Sequence, residues 1–298
     1  MNSVVEVHQL TKRYGQVTAV DQISFSLEEG KIYGLLGRNG AGKTTIMQLL
    51  TTQIFPTGGD IKIFGATPYE NNAVLSQICF IKESQKYPDS FRVVDVLKVM
   101  TGFFPNWDRE YASALIEDFE LPLKRKMKAL SRGMLSAVGI IIGLASRAPL
   151  TMFDEPYLGL DATARSVFYE RLLEDYTEHP RTIILSTHLI DEVSRLLEHV
   201  LVINQGTLIL NEDAETLREL AFSVVGPAAS VEAFSVGKEV IEQKAFGRQL
   251  SATILGSLDN AERRRAEAMD LELTAVPLQQ LIVHLTNEKR ERKAVEAL

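Results

Sequence analysis

A single cysteine, Cys79, stands in the whole chain of 298 residues, so no internal disulfide can close. A lone thiol fits a reducing compartment such as the cytosol, and its default place is a buried one. Long apolar runs are also missing. The most apolar stretch, Ala137 to Phe153, is broken by Arg147 and Pro149, which excludes it as a bilayer span. No charged-then-apolar segment precedes the first strand pattern, so no targeting segment is expected. Positive charge is in deficit, with 32 Lys and Arg against 39 Asp and Glu and a net charge of −7. That balance argues against a broad nucleic-acid surface, and no nucleic-acid partner is expected. Repeats at solenoid periods are absent, as is the N-K-x-D element that reads guanine, which counts against a GTPase.

What is present is the composition of an ordinary globular protein, 45% apolar and 24% charged, at a length suited to one large domain and one small one. Val4 to Leu10, Ile23 to Leu27, Lys31 to Leu36, Ile61 to Phe64 and Ile78 to Ile81 read as strands. From Phe91 the spacing changes. Val93, Val94, Val96, Leu97 and Met100, then Leu115, Ile116 and Phe119, recur at helical intervals, which predicts a helical insert over about 88–145. Leu150 to Phe153 and Thr182 to Ser186 return as short apolar strands, and Gln205-Gly206 marks a tight turn between Val200 to Asn204 and Thr207 to Leu210. Strands alternating with helices predict an α/β fold with a mainly parallel sheet and ligands at its carboxyl ends.

The sharpest motif lies between the Lys31 to Leu36 strand and a helix read over Thr44 to Thr52. Gly37-Arg38-Asn39-Gly40-Ala41-Gly42-Lys43-Thr44-Thr45 fills every fixed position of G-x-x-x-x-G-K-[ST]. Glycines there let the backbone turn sharply and press its N–H groups onto an anion at a helix N-terminus. In this reading the chain binds a nucleoside triphosphate through Gly37, Asn39, Gly40, Ala41, Gly42, Lys43, Thr44 and Thr45. Lys43 reaches the β- and γ-phosphates, and Thr44 places its hydroxyl on Mg²⁺.

Five further signals follow in order. Leu130-Ser131-Arg132-Gly133-Met134 opens a helix with Ser131 placed to cap it. Leu150 to Phe153 delivers the carboxylates Asp154 and Glu155. Gly159-Leu160-Asp161 comes next, His188 lies beyond the following strand, and Tyr14 sits upstream in Lys12-Arg13-Tyr14-Gly15. Each has a plainer structural reading: helix caps for the carboxylates, a core or capping role for His188, a turn for Tyr14. His8, His179, His199 and His284 lack motif context and take that plainer reading.

This ordered set, over roughly residues 4 to 215, resembles the ATP-binding-cassette ATPases, whose LSGGQ-like signature is matched here by LSRGM. The resemblance implies a P-loop NTPase of that type, with N-terminal antiparallel strands and a helical subdomain beside the mainly parallel sheet. It implies ATP and Mg²⁺ as ligands, Asp154 and Thr44 at the metal, Glu155 polarising the attacking water, and His188 holding that water in register. Tyr14 would stack on adenine, Ser131 and Gly133 would face the nucleotide of a second subunit, and Asp161 would belong to the nucleotide-binding set as well. Glu83 stands about where the family has a metal-ligating glutamine, with Gln85 two places later as the other candidate.

The expected domains are 1–220, the ATPase, and 221–298, a small α+β domain of ferredoxin-like flavour. In the latter, strands at Phe222 to Val225, Leu250 to Leu255 and Leu271 to Val276 alternate with helices at Ser230 to Phe234, Asn260 to Met269 and Leu278 to Leu285. One signature and one phosphate loop imply a dimer, either of this chain or with a second ATPase. The resemblance further implies a separate integral membrane permease as partner, a position at the cytoplasmic face of the membrane, and export of the bacterial antibiotic-resistance or multidrug kind. The alternative is a soluble or regulatory cassette ATPase not coupled to transport. The run Lys124 to Lys128 reads as solvated surface, and Trp107 as packing at a helix start.

Overall fold

Three strands whose side chains are all buried, Ile32–Leu36, Leu150–Asp154 and Thr182–Thr187, form the middle of a six-stranded sheet. Burial on both faces explains why they read as continuous apolar runs rather than as alternating ones. The computed structural model describes residues 3–83 and 85–285. The charged stretch Asn287 to Leu298, read above as a frayed helix or tail, lies outside the described residues.

In chain order the strands are β1 (Ser3–Tyr14), β2 (Val17–Glu28), β3 (Ile32–Leu36), β4 (Gly58–Ile63), β5 (Ile78–Ile81), β6 (Leu150–Asp154), β7 (Thr182–Thr187), β8 (His199–Asn204), β9 (Thr207–Asp213), β10 (Ala221–Pro227), β11 (Glu239–Phe246), β12 (Gln249–Leu255) and β13 (Glu272–Ala275). The chain divides into two compact units, Met1–His188 with Val200–Asn211, and Leu189–His199 with Glu212–Leu298.

In the first unit a three-stranded antiparallel sheet, β2-β1-β4, accompanies the six-stranded one, ordered β5-β6-β7-β3-β8-β9. The pairs β5–β6, β6–β7 and β7–β3 are parallel. β1 and β2 run beyond the expected Val4 to Leu10 and Ile23 to Leu27, because shifts of register carry the pairing on to Tyr14 and Val17. Gln205 and Gly206 both take positive φ, 48° and 79°, as a two-residue hairpin turn between β8 and β9 requires. The helical insert comprises helices Val93–Phe103, Arg109–Asp118 and Arg132–Ala145. At the first of these, Asp95 accepts the backbone N–H of Arg92 at 2.9 Å and also takes its guanidinium. Lys124, Arg125, Lys126 and Lys128 are exposed around a buried Met127, as a solvated segment should be.

The second unit holds β10, a helix Ala228–Ser235, β11, β12, a helix Asn260–Ala268 and β13. Its antiparallel sheet is ordered β11-β12-β10-β13, so the succession βαββαβ has the ferredoxin-like arrangement anticipated from sequence. Phe222, Val224, Val231, Phe234, Ala252 and Ile254 form its core. The segment 189–199 groups with this unit because Ala214 donates its N–H to the Glu198 carbonyl and the Arg218 guanidinium reaches the Leu197 carbonyl at 3.3 Å.

Candidate nucleotide site

β6, β7 and β3 are neighbours, with Asp154 level with Ser186 and Leu36 level with Thr187. Three loops therefore leave the same sheet edge side by side: the one opening at Gly37, the one carrying Glu155, and the one carrying His188. Sequence separation of more than a hundred residues is cancelled by parallel register.

The helix Lys43–Leu50 begins with no side-chain cap, its N-cap being Gly42 in the left-handed region at φ 111°. A Cβ on Gly42 would stand 2.5 Å from the Ala19 carbonyl oxygen, so only glycine permits this approach. The uncapped N–H groups and the helix dipole both favour an anion here. A cleft of about 270 Å³ lies over them, lined by Ala19, Asn39, Gly40, Ala41, Gly42, Lys43, Thr44, Thr45, Glu83 and Glu155. Lys43 is buried and folds back on the loop, its Nζ donating to the Gly37 carbonyl at 2.8 Å and lying 3.2 Å from Glu155 Oε1.

Thr44 donates its hydroxyl to Asp154 Oδ2 at 2.6 Å, while Asp154 Oδ1 is buried without a hydrogen-bond partner. Hard oxygen donors with one orphaned lone-pair site suit Mg²⁺, which keeps waters and phosphate oxygens in its remaining positions. Among the described residues no group of three or more His, Cys, Asp or Glu forms an all-protein metal cage. Of the two candidates near this metal, Glu83 lines the cleft, whereas the Gln85 N–H bonds the Lys82 carbonyl.

Glu155 adopts φ 50°, a left-handed conformation uncommon for a non-glycine residue, and its N–H donates to the Ser186 carbonyl at 3.1 Å. That turn brings its carboxylate back toward β7. Oε2 meets the Tyr157 hydroxyl and, at 2.9 Å, His188 Nδ1. Tyr157, missed in the sequence, also receives the Thr187 hydroxyl at 2.8 Å. Burial and its bond to the Glu155 carboxylate push the Tyr157 phenol well above the usual range, so it remains a donor.

The signature residues occupy a second surface. Ser131 caps the helix Arg132–Ala145 by accepting the Met134 N–H at 3.2 Å. A Cβ on Gly133 would lie 2.5 Å from the Gly159 carbonyl oxygen, and Ser136 donates to the Leu158 carbonyl at 2.6 Å. Signature helix and Gly159-Leu160-Asp161 are thus packed backbone to backbone. Asp161 caps the next helix, Ala162–Glu178, through the Ala164 N–H at 2.8 Å. Arg132 and Glu83, two positions where the chain departs from the family pattern, pair at 2.5 Å. Tyr14 ends β1 and is exposed, with Lys12 Nζ 5.0 Å from its ring centroid. Its hairpin reaches the phosphate loop through Ala19 of β2 rather than through Tyr14 itself.

A parallel sheet edge with a phosphate loop, two adjacent carboxylates and a histidine defines a P-loop nucleotide hydrolase. The family model described as ABC transporter matches residues 20–158. The bacitracin transport ATP-binding protein BcrA of Enterococcus faecalis is 32% identical over 213 residues, covering 70% of this chain and 69% of that protein. The Nod factor export ATP-binding protein I of Ralstonia nicotianae is 30% identical over 293 residues, covering 96% and 85%. A solved ATP-binding subunit of an ABC transporter superposes with a TM-score of 0.66 at 25% identity, over 72% of this chain and 92% of that one. The chain belongs to the ABC transporter family and is an ATP-binding, ATP-hydrolysing subunit of it.

Proposed function

We propose that this chain is the ATPase of an export system, driving substrate through a separate integral membrane permease from the cytoplasmic face of the membrane. The relatives named for bacitracin transport and Nod factor export support that direction. Among the described residues no helix is long and apolar enough to cross a membrane, which fits a transport pathway carried by another chain.

The observation that carries the catalytic reading is the convergence of Lys43, Thr44, Asp154, Glu155 and His188 at one sheet edge. Lys43 exchanges Glu155 for the β- and γ-phosphates of ATP, which frees Oε1 to accept a proton from the attacking water. His188 steadies the carboxylate through Nδ1 and so keeps the attacking water in register. The backbone N–H groups of Gly40, Gly42 and Thr45 cradle the phosphate chain, with Gly37 and Asn39 shaping the loop and Ala41 bracing it by donating its N–H to the Arg38 carbonyl. Thr44, Asp154 and Glu83 would hold Mg²⁺, which when bound neutralises phosphate charge. Tyr14 stacks on adenine.

Ser131, Gly133 and Asp161 serve the nucleotide of a second ATPase subunit, either another copy of this chain or a different cassette. ATP then joins two chains and its hydrolysis releases them. Residues 1–220 form the motor, with its helical subdomain over about 88–145 meeting the permease, and 221–298 form an accessory domain that strengthens self-association. Glu155→Gln tests the site: it should retain ATP, lose turnover, and stay dimeric by sedimentation. Undiminished hydrolysis would remove Glu155 from its role. Capture of the ATP-trapped variant from membranes should bring a polytopic protein with it, and recovery from the soluble fraction alone would overturn the transport reading.

A further inference from the structure

Tyr157 is 2% exposed, and its hydroxyl is the meeting point of three groups. Thr187 Oγ1 donates to it at 2.8 Å and the His188 backbone N–H at 3.3 Å, so both lone pairs of the phenol oxygen are taken. Its one proton is left for Glu155 Oε2, which as an ionised carboxylate can only accept. His188 Nδ1 stands 2.9 Å from that same Oε2 and 3.2 Å from the phenol oxygen. With the phenol's acceptor capacity filled, the Nδ1 proton goes to the carboxylate too. Two donors thus converge on Oε2, and Oε1 faces Lys43 at 3.2 Å.

We infer that Tyr157 is a positioning residue for hydrolysis, holding Glu155 by one oxygen and the His188 backbone by its own, so that Oε1 alone is presented to the attacking water. This rests on the assignment of Glu155 and His188 above. The tyrosine spans the ends of β6 and β7, and an aromatic side chain with two rotatable bonds supplies reach with little freedom to lose. Its ring is fixed independently of the hydroxyl, lying 5.6 Å from the Arg165 guanidinium and 6.0 Å from the His188 ring. Removing the oxygen alone therefore leaves packing in place. A carboxylate released from one of its two fixed donors can rotate, and a misplaced base loses rate without losing substrate.

The test uses the full chain in excess over ATP, so that a single turnover is read however slow it is. Tyr157→Phe should lower the hydrolysis rate about tenfold while nucleotide affinity and thermal midpoint stay within about twofold and a few degrees. His188→Ala should lower it as well, and the double variant should fall little below the slower single one, because the two act through one carboxylate. A Tyr157→Phe rate within twofold of the unmodified chain overturns the inference. So does a loss of rate accompanied by equal losses of affinity and thermal midpoint. Glu155→Gln is run alongside: if it hydrolyses ATP normally, the site assignment itself fails, whereas an inactive Glu155→Gln beside a fully active Tyr157→Phe rejects the tyrosine's part alone.

Discussion

Lys43 and Glu155 form a buried ion pair, Nζ to Oε1 at 3.2 Å, with side chains 6% and 8% exposed. Both charges are largely withdrawn from solvent, so each offsets part of the other's desolvation while phosphate is elsewhere.

Lys43→Ala should therefore do more than abolish ATP binding. It leaves the buried carboxylate without its cation while Tyr157 and His188 still hold Oε2, so the cost should fall below the ~3–5 kcal/mol seen when a buried charge is left wholly unpaired. Lys43→Ala with Glu155→Gln should regain much of that stability and none of the binding. Urea denaturation of the unmodified chain and these two variants checks both halves, and a fully stable Lys43→Ala single variant would show that Glu155 does not need its cation.

Thr44→Val removes the hydroxyl that Asp154 Oδ2 accepts at 2.6 Å and leaves both carboxylate oxygens short of a partner. ATP hydrolysis should become insensitive to added Mg²⁺ because it is already lost, while chelation should reduce the unmodified chain to the same level. Nucleotide retention measured with and without Mg²⁺ separates this from unfolding.

At Gly133 even a methyl group meets the Gly159 carbonyl oxygen at 2.5 Å, backbone against backbone, where neither side can yield by turning a rotamer. Gly133→Ala should destabilise the chain by about 1–3 kcal/mol, as overpacking does elsewhere. It should also impair ATP-dependent self-association more than ATP binding, as analytical centrifugation with nucleotide would show.

Burial pushes the Cys79 thiol up to about 12, against a smaller opposing pull from its bond to Ser146. A folded-state pKa raised above the unfolded value favours the folded chain below that unfolded value, near 8.5, and the benefit fades as pH climbs toward the folded value. Stability should thus erode between roughly pH 9 and 12, and a Cys79→Ala chain should show less of this erosion. Native protein should resist alkylation near pH 8.5 and react fully once unfolded, read as a mass shift.

Exposed charge pairs stand at the other extreme. Glu83 and Arg132 are 40% and 63% exposed, and breaking their contact by Arg132→Ala should change stability by no more than about 1 kcal/mol. Hydrolysis rate, measured on Glu83→Gln, is the readout that this pair can move, because Glu83 also lines the phosphate cleft.

The phosphate loop and the paired carboxylates were legible because their meaning lies in local spacing, and the buried strands β3, β6 and β7 because continuous apolar runs announce them. The turn at Gln205-Gly206 was legible for the same local reason. β11, Glu239–Phe246, was not read as a strand: it is a sheet edge carrying Glu, Gln and Lys, exposed or half-buried throughout, so no apolar periodicity marks it. The ends of β1 and β2 were lost because Gln9 and Gln22 take positive φ and break the alternation. Tyr157 and the Arg132–Glu83 pair were invisible for a different cause. Their partners are supplied by register between β6 and β7 and by the approach of a helix 49 positions away, neither of which a linear pattern encodes.

In the second unit the first and last strands of the sheet lie side by side, Phe222 opposite Ala275, so β10 begins at the end of the sheet where β13 stops. That pairing ties the start of the sheet to its finish like a clasp: β13 is an edge strand, and loosening it would turn β10, otherwise flanked on both sides, into a bare margin.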